Sequence, residues 1–147
     1  MRRFQFRLES VLGWRVVELE IEEGRLERLF TERRGWDDRA RALEDQRRES
    51  AQLIAAKTLD GQQLAAFTYH RRYLEREAAR MAAQRADCEK RIAAQQQRVV
   101  EAERKVRLLE RLKERRLAEW TLDFNREVEA LASETFLSKW AREKSRS

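Results

Sequence analysis

The chain has 147 residues and a net charge of +6; charged and hydrophobic residues each make up 41% of it, and there is no proline. With a mean hydropathy of −0.88, this composition excludes a thick globular core and is typical of long helices that bury a narrow apolar seam. Proline breaks such helices because it removes a backbone hydrogen bond and clashes with the preceding turn, whereas the twelve aromatic residues argue against a disordered chain.

The first predicted element is a long helix, arm one, over about residues 5–56. Apolar residues recur there at alternating spacings of four and three, which indicates a helix with one partner-facing stripe. Ser10 is a candidate N-cap, but the stripe begins before it, so we place the start near residues 5–8. Three glycines at 11-residue intervals lie inside this helix, and the sequence assigns them no role. The predicted stripe contains Leu8, Leu12, Leu19, Leu26, Leu29, Trp36, Ala40, Leu43 and Ile54.

A bend is predicted at residues 57–62, where Asp60-Gly61 is a turn dipeptide and glycine accepts the positive φ of a helix end. A short helix at residues 63–69 follows within a bend region of 57–71. The second helix, arm two, then covers about residues 72–143 and leaves a tail of residues 144–147. Its predicted stripe contains Leu74, Ala78, Met81, Cys88, Ile92, Val99, Ala102, Val106 and Leu109.

Two long helices joined by a short connection pack antiparallel. We therefore predict a single all-α domain, an antiparallel two-helix coiled-coil hairpin over residues 1–147 with a longer, protruding C-terminal helix. The predicted register places Trp36 opposite Ile92 and Ala40 opposite Cys88. Residues beyond about Trp120 outrun arm one. Because they carry many apolar side chains, they need a partner of their own.

The residue types do not support an enzyme, and we expect no catalytic residue, no cofactor and no metal site. The chain has one histidine and one cysteine, and His70 and Cys88 lack further ligands at metal-binding spacing. No apolar run exceeds four residues, whereas about 18 are needed to cross a bilayer. No apolar stretch follows the basic start Met1-Arg2-Arg3, so we expect no signal peptide. These features predict a cytoplasmic protein.

Both ends of the chain resemble the FliJ family, the flagellar export proteins that act as the stalk of the export ATPase. The opening FQFRLESVLGWRVVELE is similar to the family's F-x-F-x-L-x-x-V-L start. The distal stretch ERKVRLLERLKERRLAEW is similar to a second family segment, through Val106, Leu109, Leu112 and Trp120 among others. Two departures are Ser133-Glu134, where the family commonly has Asp-Glu, and the unexpected Trp14.

The resemblance implies a non-enzymatic coupling protein. Its partners would be a hexameric export ATPase, the cytoplasmic domain of the membrane export gate and export chaperones, with the chain held peripherally at the inner membrane. The candidate contacts with the ATPase are Phe4, Phe6, Leu8, Leu12, Arg15, Leu109, Leu112, Lys113, Arg115, Arg116, Trp120 and Phe124. The candidate contacts with the export gate are Phe67, Tyr69, Tyr73, Leu74, Glu77, Arg80 and Gln84.

Three other functions stay open. The equivalent stalk of a virulence-type III secretion system would share the architecture. A basic coiled coil could instead bind nucleic acid, with an affinity that falls steeply with salt; we do not expect this, because arginine-rich outer faces are common in coiled coils. The third alternative is a structural homodimer. The aromatic side chains at the bend have two equally good interpretations: they close the end of the coiled coil, or they bind the export gate.

Overall fold

The computed structural model describes residues 2–56 and 58–147. Two helices account for nearly all of them: α1 spans Glu9–Ala56 and α2 spans Gly61–Arg146. The two helices pack together, and no strand occurs in the described ranges. The predicted all-α two-helix hairpin is therefore confirmed. Within those same ranges, neither helix has a stretch long and apolar enough to cross a membrane.

The first helix begins slightly later than predicted and ends where predicted. Residues 7 and 8 form a turn in which the Glu9 amide donates a hydrogen bond to the Phe6 carbonyl at 3.1 Å. The Leu12 amide then donates to the Leu8 carbonyl at 2.8 Å. The segment before this turn is not helical, so the predicted start at residues 5–8 moves to Glu9. The end at Ala56 agrees with the predicted arm one.

The second helix is continuous from Gly61, so the separate short helix at residues 63–69 and the start of arm two at residue 72 were wrong. The reason is a reciprocal cap. The Gln63 amide donates to the Asp60 side chain at 2.8 Å, and the Asp60 amide donates to the Gln63 side chain at 3.2 Å. This capping box fixes a helix start directly after Asp60. Gly61 consequently has no positive φ, contrary to the prediction. Lys57, the first residue of the predicted bend, lies outside the described residues.

The contacts divide the chain into two compact units. Unit 1 contains the N-terminal segment up to Glu18 together with Ala102–Ser147, and unit 2 contains Leu19–Glu101. Each unit combines a part of α1 with a part of α2, and each has its own buried side chains. Whether the chain folds as one domain stays a prediction.

Unit 2 has a seam of buried side chains between its two helices. Leu43, Leu74, Cys88 and Ile92 are buried there, and the polar Gln95 is buried beside them. Ion pairs flank this seam across the helices: Arg33 contacts Glu89 at 3.0 Å, and Arg91 contacts Glu32 at 2.6 Å. Burial of the apolar side chains is the main stabilising contribution, because exposed ion pairs are worth only ~0.2–1 kcal/mol each.

The antiparallel orientation agrees with the prediction, but the register does not. Cys88 was expected opposite Ala40, whereas its Sγ lies 3.5 Å from the backbone oxygen of Leu29. The expected pairing of Trp36 with Ile92 is shifted in the same direction, since Arg91 pairs with Glu32. The cause is the connection: because α2 begins at Gly61 rather than residue 72, the same position of α1 meets an earlier residue of α2.

Unit 1 buries fewer side chains. Leu12 of α1 is buried, as are Ala102 and Val106 of α2, and Lys113 forms an ion pair with Glu9 at 2.9 Å. Beyond Phe124, every residue of α2 is exposed. The predicted protrusion of the C-terminal helix therefore corresponds to residues 125–146, about six turns at 3.6 residues per turn.

Candidate protein interaction site

An aromatic cluster forms in unit 1 where the non-helical N-terminal segment meets α2. The ring centroids of Phe4 and Trp120 are 6.0 Å apart, and those of Trp120 and Phe124 are 5.0 Å apart in a stacked arrangement. Trp120 and Phe124 are on one side of α2 because they are four residues apart. All three side chains are half-buried, so the aromatic cluster (Phe4, Trp120 and Phe124) fixes the N-terminal segment and still presents apolar surface.

An open groove of about 820 Å³ surrounds this cluster. Four arginines lie on it, with two acidic residues, so its charge is predominantly positive. Arg116 and Glu119, three residues apart on α2, form an ion pair at 3.4 Å on one wall of the groove. The remaining arginines belong to the N-terminal segment. The lining residues are Arg2, Arg3, Phe4, Gln5, Phe6, Arg7, Leu8, Leu112, Arg116, Glu119, Trp120 and Asp123.

The structure brings most of the predicted ATPase-contact residues to this surface. Six of them line the groove, and Phe124 stacks beside it. Arg115 is exposed on α2, while Lys113 is engaged by Glu9. Arg15 contacts Glu18 at 2.9 Å and lies over the Trp14 ring. The six groove residues are Phe4, Phe6, Leu8, Leu112, Arg116 and Trp120.

Two members of that predicted set lie on the predicted apolar stripes. Leu12 is buried in the seam of unit 1 and cannot present its side chain to a partner while the helices stay packed. Leu109 is half-buried on the same stripe of α2 as Val106. Both carry the regular seam spacing that the sequence already showed. The buried Leu12 therefore has a packing role, whereas the half-buried Leu109 stays a predicted contact.

The predicted gate-contact residues fall at the beginning of α2, in unit 2. Tyr69 and Tyr73 are exposed, and Tyr73 stacks on His70 with ring centroids 6.4 Å apart. Glu77 and Arg80 form an ion pair at 3.7 Å. Phe67 is half-buried and Gln84 is exposed.

Leu74 requires a correction, because it is among the most deeply buried side chains of unit 2. It closes the seam near the connection instead of offering a contact. The exposed members of the set, above all Tyr69 and Tyr73, therefore form a separate candidate surface, which we call the tyrosine face.

Sequence reasoning missed two features of the site. The arginines of the N-terminal segment, Arg2, Arg3 and Arg7, line the groove although only the phenylalanines between them were singled out. Gln95 is buried and donates to the Glu22 backbone oxygen at 3.0 Å and to the Glu22 carboxylate. The signal for Gln95 was its spacing, three residues after Ile92 and four before Val99, which is the seam pattern itself.

Two side chains at the seam of unit 2 have shifted pKa values with identifiable causes. A hydrogen bond from Arg91, with its positive charge, lowers the pKa of the Glu32 carboxyl below its usual range. Burial raises the pKa of the Cys88 thiol, which keeps this side chain in the neutral form of a small apolar seam residue. Over residues 2–56 and 58–147, no group of three or more histidine, cysteine or acidic side chains is placed to hold a metal ion.

No protein-family model, curated protein sequence or solved structure matches the chain. The resemblance to the FliJ family therefore stays a prediction that depends on the residues quoted above.

Proposed function

We propose that this chain is a non-enzymatic coupling stalk of a flagellar type III protein export apparatus, which inserts into the export ATPase ring and connects it with the membrane export gate and export chaperones. The observation that carries the proposal is the aromatic cluster of unit 1 within an arginine-lined groove. It unites residues from both of the segments that resemble the family.

The composition of this surface suits a protein partner. Aromatic and arginine side chains are the residue types that dominate binding energy at protein interfaces, especially where a partner excludes water from them. Phe4 and Trp120 are held in place before binding, so less conformational entropy is lost when a partner covers them. The surrounding arginines would be attracted by acidic loops of the partner and would accelerate association.

The rest of the chain suits a mechanical role. Two packed helices measure about 20 Å across, since each helix with its side chains is 10–12 Å in diameter. Each helix is continuous in its backbone hydrogen bonding and is not interrupted by proline. The exposed basic side chains of α2, such as Arg104, Arg107 and Arg111, extend the positive charge along the part of unit 1 that precedes the groove.

The tyrosine face would contact the export gate. Tyr69 and Tyr73 are exposed aromatic residues at the beginning of α2, in unit 2, whereas the groove is in unit 1. Two partners could therefore bind residues on separate units of the same chain.

The test is a pair of binding assays with the cognate export ATPase and the gate domain, together with an ATP hydrolysis assay. We expect Trp120→Ala to weaken the ATPase complex by roughly 25-fold, the equivalent of ~2 kcal/mol for an aromatic hot spot, and to leave gate binding unchanged. Tyr69→Ala with Tyr73→Ala should produce the opposite result. Each set of variants is the control for the other.

Combining Leu112→Ala and Phe124→Ala with Trp120→Ala should weaken ATPase binding further. The helix content measured by circular dichroism should stay close to that of the parent chain. If helicity falls instead, these side chains serve the fold and not the interface. A parent chain that neither binds the ATPase nor changes its turnover or ring assembly would contradict the proposal.

A further inference from the structure

The distal part of α2 carries large apolar side chains on the side facing away from the aromatic cluster. Leu122, Phe136, Leu137 and Trp140 are all exposed. At 3.6 residues per turn they fall on one side of the helix, and we call them the outer stripe. Leu122 follows Trp120 by two residues, so it points away from the side on which Phe4 packs. The N-terminal segment therefore leaves the outer stripe uncovered.

The charges of the same segment are strongly asymmetric. Residues 119–134 contain five acidic side chains and one basic one, whereas residues 139–146 contain four basic side chains and one acidic one. A second copy laid antiparallel with residue 131 at the centre would place the basic residues 139–146 of each helix beside residues 116–123 of the other, where Glu119 and Asp123 can pair with them. A parallel copy would place like charges together, which is unfavourable.

We propose that the outer stripe is a self-association surface, on which the distal helices of two copies pair antiparallel about a two-fold axis at the level of residue 131, whose own side chain points away from the contact. In this arrangement Leu122 of each copy meets Trp140 of its partner, and Glu119 lies near Lys144 of its partner. Both ends of the contact then combine an apolar pair with an ion pair. The inference uses only this chain and does not depend on the export partners.

The size of the contact sets its strength. The two copies contribute four aromatic and four leucine side chains that are already partly covered by their own helices, so the area buried is on the order of 1,000 Å². This is close to the lower limit of about 1,200 Å² for stable protein interfaces. The dimer is accordingly weak and reversible, with a dissociation constant in the micromolar range, and it weakens as salt screens its ion pairs.

Analytical ultracentrifugation of the full chain over about 1–300 μM tests the proposal, and two leucines provide a matched pair of variants. Leu122 and Leu131 are each 59% exposed; nine residues separate them, so they lie on opposite sides of α2. We expect Leu122→Glu to weaken dimerisation at least tenfold and Leu131→Glu to change it less than twofold. Circular dichroism of both variants verifies that the helices are retained.

Orientation is measured by spin labels in a Cys88→Ala background. A label at Ser145→Cys, an exposed position off the outer stripe, should give an interlabel distance of about 40 Å in the antiparallel dimer and a much shorter one in a parallel dimer. A parent chain that remains monomeric at 300 μM, equal loss of dimer in both glutamate variants, or a short interlabel distance would each overturn the proposal.

Discussion

Leu74 and Leu131 are leucines of the same helix, yet one is 1% exposed and the other 59% exposed. Local hydrophobicity does not explain the difference, since Leu74 lies directly between Tyr73 and Glu75 in a mostly charged stretch, whereas Leu131 lies between two alanines. It comes from the neighbour: α1 packs beside α2 at Leu74, within unit 2, whereas Leu131 lies among residues 125–146, which are all exposed. In a long amphipathic helix the sequence sets which residues form a stripe, and the partner helix decides how much of that stripe is buried.

The largest expected effect comes from truncating the same side chain, leucine to alanine, at both positions. We expect Leu74→Ala to lower the free energy of unfolding by about 2–4 kcal/mol, because buried leucines lose both transfer energy and packing when truncated. Leu131→Ala should change it by less than about 0.5 kcal/mol. Urea unfolding followed by circular dichroism at low protein concentration measures both values. Equal effects would mean that the distal helix is buried in the isolated chain.

The next effect concerns the polar residue of the seam. Gln95 is buried and donates to the backbone and side chain of Glu22, so Gln95→Ala should cost about 1–2 kcal/mol by leaving these acceptors without their donor. The neighbouring Gln96 is exposed, and Gln96→Ala is the control; it should be neutral or slightly stabilising because alanine has the higher helix propensity. A neutral result for Gln95→Ala would show that the contact adds nothing to stability.

Much of this fold could be predicted from the sequence, for identifiable reasons. The stripe residues Leu43, Cys88, Ile92, Ala102 and Val106 are buried as their spacing predicts. The spacing of apolar residues indicates which side of a helix faces a partner, and the absence of proline indicates that the helices are long. Both are local properties, so a single sequence contains them.

The register and the site could not be obtained in the same way. Register depends on where α2 begins, and that start is fixed by one capping box, Asp60 with Gln63, which was interpreted as a glycine turn. Because the start of α2 was predicted at residue 72 and lies at Gly61, every expected cross-helix pair is displaced by the same number of residues. The groove depends on how the non-helical N-terminal segment folds against Trp120, a contact between residues more than one hundred positions apart that no periodic pattern encodes.

A smaller effect is expected at the glycines of α1. A Cβ atom added at Gly24 or Gly35 meets no other atom within 4 Å, so each substitution by alanine should raise the free energy of unfolding by about 0.5–1 kcal/mol through helix propensity alone. Gly61→Ala is the control: its Cβ is equally unobstructed, but it lies at the first position of α2, where the gain should be smaller. Thermal unfolding of the three variants compares them, and a loss of stability at Gly24 would show a contact that this structure lacks.

The smallest expected effect is the pH dependence of the Glu32–Arg91 pair. Arg91 lowers the pKa of Glu32 in the folded chain below its ordinary value of 4.5, so the contribution of this pair to stability is present above that value and is lost as the pH falls through the lowered pKa. The difference in urea midpoint between the parent chain and Glu32→Gln should therefore be largest at neutral pH and should disappear in acid. Glu23→Gln, an exposed change on the same helix, is the control for removing one negative charge from α1. Both side chains of the pair are exposed, so screening keeps the effect small; a midpoint difference that persists in acid would mean that Glu32 stabilises unit 2 by packing and not by charge.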